Sequence, residues 1–255
     1  MTRSTRPASC RSARTCTAGR RRTDVAERRA TDVAERRAAG VVERRATGAA
    51  VCVLVGAVAA TFAVVAGPGP GLTGYVSEAG VADSIYAWTY RLGVLTLGSA
   101  LLLLAAALRD QPADDAASRP ARQPDRAVRI AVVLLVVGAV ATALSGAVTC
   151  SDGCPLPPFE TPTVADLVHG AASIVAAGAT VLAMIAILFS RAAAEPLRRT
   201  ATICVAAALP LAGALGLAML LVGRGTLAGV LERLLLLVIV AWGVVTATIL
   251  ATARR

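Results

Sequence analysis

Six stretches of this chain are almost wholly apolar, at about 49–66, 92–108, 130–149, 164–189, 201–222 and 228–252. Each approaches the roughly 20 residues with which a helix crosses about 30 Å of bilayer hydrocarbon. The stretch at 92–108 is the shortest and reaches full span only with Tyr90 and Arg91 at the interface. The first could be mistaken for a signal peptide, because "AVVAG" at 63–67 is small enough to cleave. Its apolar core runs the full span behind far too long an n-region, so it is read as a retained helix. The pattern predicts an all-α polytopic membrane protein, a six-transmembrane-helix bundle over 49–252.

Inside those stretches small residues recur, including Gly56 with Ala60, Gly138 with Thr142, and Gly170 through Gly178. Small residues let backbones approach, which replaces the hydrophobic drive that lipid removes. Pro210 removes a helical hydrogen bond and predicts a kink in the fifth helix.

The polar stretches divide the chain further. Residues 1–48 carry "TDVAERRA" at 23–30 and 31–38, degenerating to "AGVVERRA" at 39–46. A period of eight holds no heptad seam, so this segment is expected to be a disordered, Arg-rich cytoplasmic tail. A polybasic anchor on anionic lipid is the rival, weakened by the interspersed Glu residues. The connection at 109–129 is rich in Pro, Ala and charge, as a linker without its own fold would be. "GRGT" at 223–226 predicts a tight turn and an antiparallel hairpin of the last two helices. Residues 67–91 hold Tyr75, Tyr86, Trp88 and Tyr90, rings that favour the headgroup region, so this loop is expected on the membrane surface.

Composition sharpens the class: 56% of residues are hydrophobic and only 3% aromatic. The formal net charge of +10 comes from 26 basic residues, all arginine. Thirteen precede residue 46, and others cluster in 109–129, in 191–199 and at the C-terminus, leaving Arg91, Arg224 and Arg233 on the other side. That asymmetry follows the positive-inside rule with both termini cytoplasmic. It argues against nucleic acid as a partner and for membrane lipids.

Chemistry concentrates in "CSDGCPLPPFETPTVADLVHG", residues 150–170. Cys150 and Cys154, on the predicted outer side, favour a disulfide. A metal site with His169 is the alternative, since thiolates and imidazole suit zinc, but it lacks a clear fourth ligand. Cys10, Cys16, Cys52 and Cys204 are expected as free thiols. Thr163 and Asp166 form a capping box at the fourth helix. Asp166, His169 and Ser173 share one helix face. One straight helix offers no oxyanion donors, so a hydrolytic triad is disfavoured against an Asp–His pair that orients the ring or binds a headgroup. Glu78, Asp83, Arg91, Glu232 and Arg233 should lie near the same outer level. Glu232, five residues into an apolar block, is expected to find Arg91, Arg233 or His169. No phosphate-binding loop, dinucleotide fingerprint or metalloprotease helix occurs, so neither cofactor nor metal is expected.

"YVSEAG" at 75–80, the outer loop with its Pro-rich run and helix-four histidine, and Arg191 closing helix four resemble a bacterial membrane family, domain of unknown function 998. The resemblance covers about residues 50–252. It implies a six-helix bundle of unknown activity and draws attention to Ser77, Glu78 and His169. A looser similarity runs to six-helix Frag/DRAM/Sfk-type proteins. The expected function is binding of a lipid headgroup or small amphiphile in an outward-facing polar pocket, in a bacterial plasma membrane. A transporter and a membrane-embedded hydrolase are the alternatives, and the oligomeric state is open.

Overall fold

The computed structural model describes residues 13–67, 71–81, 83–111 and 125–252. The chain divides into two units at Val41 and Val42. Its helices are α1 (Ala13–Ala66), α2 (Ala87–Arg109), α3 (Arg126–Ala147), α4 (Val164–Leu188), α5 (Glu195–Leu221) and α6 (Thr226–Thr252), with a short 3-10 helix at Val76–Gly80. The described residues contain no strand.

In the first unit the described residues are helical from Ala13, so the eight-residue repeats expected in a disordered tail have helical backbone. Ala, Glu and Arg are among the best helix formers, and their local propensity requires no sustained seam. Cys10 and the middle of the 109–129 linker lie outside the described residues.

Six helices are long and apolar enough to cross a membrane, the first over Arg36–Ala66 by that measure. They run alternately up and down. The connections after α1, α3 and α5 gather at one end, called here the loop end. The observed α2 starts five residues earlier than the apolar stretch, at Ala87, which settles its length. Helix α3 packs against both α2 and α4, and α5 packs on α4 and α6.

Small side chains recur in the interior, with Ala46, Ala49, Ala63, Ala107, Ala131, Ala183, Ala201, Ala208 and Ala247 all fully buried beside larger ones such as Leu104, Leu135, Met184 and Trp242. Other large apolar side chains, such as Val58, Ile174 and Leu237, face outward. Such an apolar exterior is what a lipid-facing surface requires. A close approach joins α1 to α2. A Cβ on Gly56 would stand 2.7 Å from the Gly93 carbonyl oxygen, and one on Gly93 would stand 2.9 Å from that of Gly56. At the α5–α6 turn Gly223 takes φ +79, the left-handed region in which a side chain is strained.

The opposite end is tied by carboxylates. Asp110 pairs with Arg45 of α1. Asp125 caps α3 by accepting from the Ala127 amide at 3.1 Å. It also accepts from the Ser190 hydroxyl at 2.7 Å and the Arg191 and Ala192 amides at 2.9 and 3.1 Å. One carboxylate thus joins the start of α3 to the α4–α5 turn. The Ser190 hydrogen bond, with the backbone donors, holds Asp125 below the usual carboxylate range despite partial burial.

A carboxyl whose folded pKa is depressed contributes stability above its unfolded value of about 3.9, and loses it as pH falls through the lower folded value. Asp125→Asn is therefore expected to destabilise the protein by roughly 1–2 kcal/mol at neutral pH. The penalty should shrink as pH falls below about 4, measured as thermal unfolding of parent and variant across pH.

Candidate functional site

The loop end is organised by the 3-10 helix at Val76–Gly80. A helix start exposes backbone amides with no partner of their own. Here two carboxylates supply the acceptors. Glu78 takes the Tyr75 amide at 2.9 Å, and Glu232, reaching across from α6, takes the Val76 amide at 2.8 Å. Glu78 also receives Arg224 in a two-pronged pair, Nε to Oε1 at 2.7 Å and an amino nitrogen to Oε2 at 2.6 Å. The Glu78 side chain keeps only 8% of its surface exposed, against 36% for Arg224. Hydrogen bonding to Glu78 pushes the Arg224 pKa up. Burial, then the Glu232 carboxylate, does the same to the Tyr75 phenol.

Glu232 does not find the partners expected of it. No ion pair reaches it among the described residues. Arg233 turns instead to the carbonyl oxygens of Gly74 at 3.0 Å, Gly229 at 2.7 Å and Gly71, tying down the first loop. The reason is local: Glu232 faces the start of the 3-10 helix, whose amide needs an acceptor.

Asp166 has the capping role read from the sequence. Its Oδ2 accepts from the Thr163 amide and hydroxyl, each at 2.7 Å, and Thr163 accepts back from the Asp166 amide at 3.3 Å. It also accepts from the Ser151 amide at 2.7 Å, so it holds the cysteine loop against α4. With these partners it makes no bond to the His169 ring, and the Asp–His pair is not formed. Ser173 likewise donates to the His169 backbone carbonyl at 3.0 Å and pairs with Ser145 at 2.8 Å. The three residues share a face without forming a relay.

The His169 ring is buried. Its Nδ1 lies 2.9 Å from the carbonyl oxygens of both Ser145 and Val148. Two acceptors oblige that nitrogen to carry the proton, leaving Nε2 as the acceptor. Nε2 is buried and has no hydrogen-bond partner among the described residues. Cys150 and Cys154 are joined in a disulfide, with Cα atoms 5.0 Å apart, and the Ser77 hydroxyl approaches the Cys154 sulfur at 3.4 Å.

Beneath these groups lies a cavity of about 180 Å³ inside the bundle. Its loop end is polar, with Glu232, Ser77, Ser145 and Ser173, and its shaft is lined by apolar side chains of α1, α2, α4 and α6 down to Trp242. Glu232 and Trp242 are ten residues apart on α6, about 15 Å at 1.5 Å per residue. A recess of about 60 Å³ adjoins Ser77, Asp166, His169 and Glu232. Another of about 10 Å³ adjoins Ser77, Arg91, Cys150 and His169.

A family model described as "Protein of unknown function (DUF998)" matches residues 49–249. The chain belongs to this family. No curated protein and no solved structure matches it. The match covers the six helices of the DUF998 chain from Ala49 onward.

Ser77, Asp166, His169 and Glu232 thus border one recess of the DUF998 chain, Arg91 borders the neighbouring one with Ser77 and His169, and Glu78 faces Arg224. The aromatic loop departs from expectation. Trp88 is exposed and stacks on Arg91 at 5.2 Å, but Tyr75 and Tyr90 are buried in the protein. Tyr90 is drawn in because Gly80 leaves room for its ring, which lies 2.6 Å from where a Cβ would sit. Arg224, Ser145 and Trp242 were not singled out from sequence. An arginine in a turn on the arginine-poor side was the one signal for Arg224.

Removing either member of the Glu78–Arg224 pair has unequal consequences. Arg224→Ala leaves a buried carboxylate short of its partner, whereas Glu78→Gln leaves a cation that reaches solvent. Arg224→Ala is expected to cost roughly 2 kcal/mol and to exceed Glu78→Gln. Thermal unfolding of the two variants in the same detergent measures the difference.

Proposed function

We propose that this protein is a non-enzymatic binding protein of a bacterial plasma membrane, taking a small amphiphile or lipid headgroup into the bundle from its loop end. The observation that carries the reading is the cavity with a polar mouth and an apolar shaft. An engineered apolar cavity of about 150 Å³ takes up benzene, so this one suits a slender alkyl segment. At the mouth, Glu232 spends one oxygen on the Val76 amide, and Ser77, Ser145 and Ser173 line the same cavity. A headgroup that donates hydrogen bonds, such as a hydroxyl or an ammonium, fits that acceptor-rich end.

The rival readings have less support. Pro210 lies in α5, the one helix that lends no side chain to the cavity wall, so it gives a transport gate no footing. A hydrolase would use His169 with Asp166 or Glu78, but Asp166 is engaged by Ser151 and Thr163 and Glu78 by Tyr75 and Arg224.

Mass spectrometry of protein purified in mild detergent, with thermal unfolding, tests the proposal. The parent is expected to retain a small amphiphile that raises its unfolding temperature. Ala177→Leu, which fills the shaft, and Glu232→Gln, which alters the mouth but keeps an acceptor for Val76, should each lower retention roughly ten-fold, about 1.4 kcal/mol, while folding normally. Equal retention by parent and Ala177→Leu would show that the cavity is not the site.

The arginine asymmetry supports an orientation with the loop end outside and both termini in the cytoplasm. A reporter active only in the cytoplasm is expected to work when fused after Arg255 and to fail after Gly153. Activity after Gly153 would reverse the orientation.

A further inference from the structure

The disulfide and the histidine stand together for a reason that amphiphile binding does not use. One ligand atom from each of Cys150, Cys154 and His169 lies within 4.8 Å of the others, and all three residues are buried. From this geometry we infer that reduction of the Cys150–Cys154 disulfide creates a binding site for one zinc-like divalent ion, held by two thiolates and His169 Nε2.

The histidine is already arranged as a ligand. A metal-binding imidazole characteristically donates its other ring N–H to a carbonyl or carboxylate, which fixes the tautomer and aims the lone pair. His169 does this twice over, through Nδ1 to the carbonyl oxygens of Ser145 and Val148. Its Nε2 is left buried and without a partner among the described residues. An unsatisfied polar atom in such a place calls for an explanation, and an ion supplies one.

The distances are compatible with a tetrahedral site. Zinc–sulfur bonds of about 2.3 Å put two thiolates some 3.8 Å apart, and zinc–nitrogen bonds of about 2.0 Å bring the imidazole slightly closer still. Once the S–S bond is cut, the two sulfurs need only separate by rotation about their Cα–Cβ bonds. Two thiolates with a neutral imidazole cancel the charge of a divalent ion, which suits surroundings with little water. Ser77, whose hydroxyl approaches the Cys154 sulfur, lines the same recess as Cys154 and His169.

The chemistry balances with one reductant. A dithiol transfers two electrons and two protons to the disulfide, giving Cys150 and Cys154 thiols and leaving as a disulfide itself. The ion then displaces the two thiol protons to solvent as it binds. The oxidised protein has no thiolate to offer, so ion binding is set by the redox state of the loop end. This inference stands apart from the amphiphile proposal, because it requires no occupant in the shaft.

The test uses full-length protein in detergent with Cys10, Cys16, Cys52 and Cys204 replaced by serine, and cobalt(II) alone as the probe. After reduction by a phosphine, one cobalt per chain is expected to bind with thiolate-to-metal charge-transfer absorption, and zinc should displace it. The oxidised protein should show no such absorption. Cys150→Ser should abolish it, and His169→Gln should weaken cobalt affinity by at least roughly ten-fold. X-ray absorption of the zinc-loaded parent should show two sulfur neighbours and an imidazole, a readout independent of how well the His169 variant folds. Absence of the charge-transfer band in reduced protein, its survival in Cys150→Ser, or zinc without imidazole scattering would each overturn the inference.

Discussion

A helix start in a dry place needs acceptors for its amides, and at Val76–Gly80 two glutamates provide them. Glu78 comes from the same turn, but Glu232 comes from 156 residues away, so its bond to the Val76 amide fastens the first loop to the last helix. Much else at the loop end follows. With the 3-10 helix fixed, Glu78 meets Arg224 of the α5–α6 turn, Arg233 gathers the carbonyls of the preceding loop, and Ser77 faces inward. Water would serve those amides equally well at an exposed surface. Beside lipid the alternative is an unsatisfied group, which costs several kcal/mol.

Ser77 is the point where two chemistries touch. It borders the mouth of the cavity and both smaller recesses, and its hydroxyl reaches the Cys154 sulfur. Asp166 stands behind this arrangement rather than in it. By holding Thr163 and Ser151 together it fixes the cysteine loop over α4, and His169 is buttressed from α3 by the carbonyls of Ser145 and Val148. The site is thus assembled from four separate stretches of chain.

The six helices were legible because bilayer thickness imposes a length on every apolar stretch, whatever its details. Asp166 was legible as a cap for a related reason: a capping box spans only four residues. The partners of Glu232 and His169 were not, because each bridges distant parts of the chain and answers a backbone group that any residue could have supplied. The loop aromatics misled through the same blindness. A tyrosine suits a headgroup layer and a protein interior about equally, and only the space beside Gly80 decides for Tyr90. In the repeats, composition suggested a tail without structure, whereas Ala, Glu and Arg in sequence make good local helix.

The cavity has one property that no single wall reveals. Its lining comes from α1, α2, α3, α4 and α6, and the small residues of any one pair would simply close on each other or on lipid. The chamber therefore exists only in the completed bundle. Because α6 follows the other five in the chain and contributes both Glu232 and Trp242, a chain that lacks α6 has no chamber at all. An occupant bound there would recognise finished molecules and ignore partly assembled ones, making occupancy a marker of completed biogenesis.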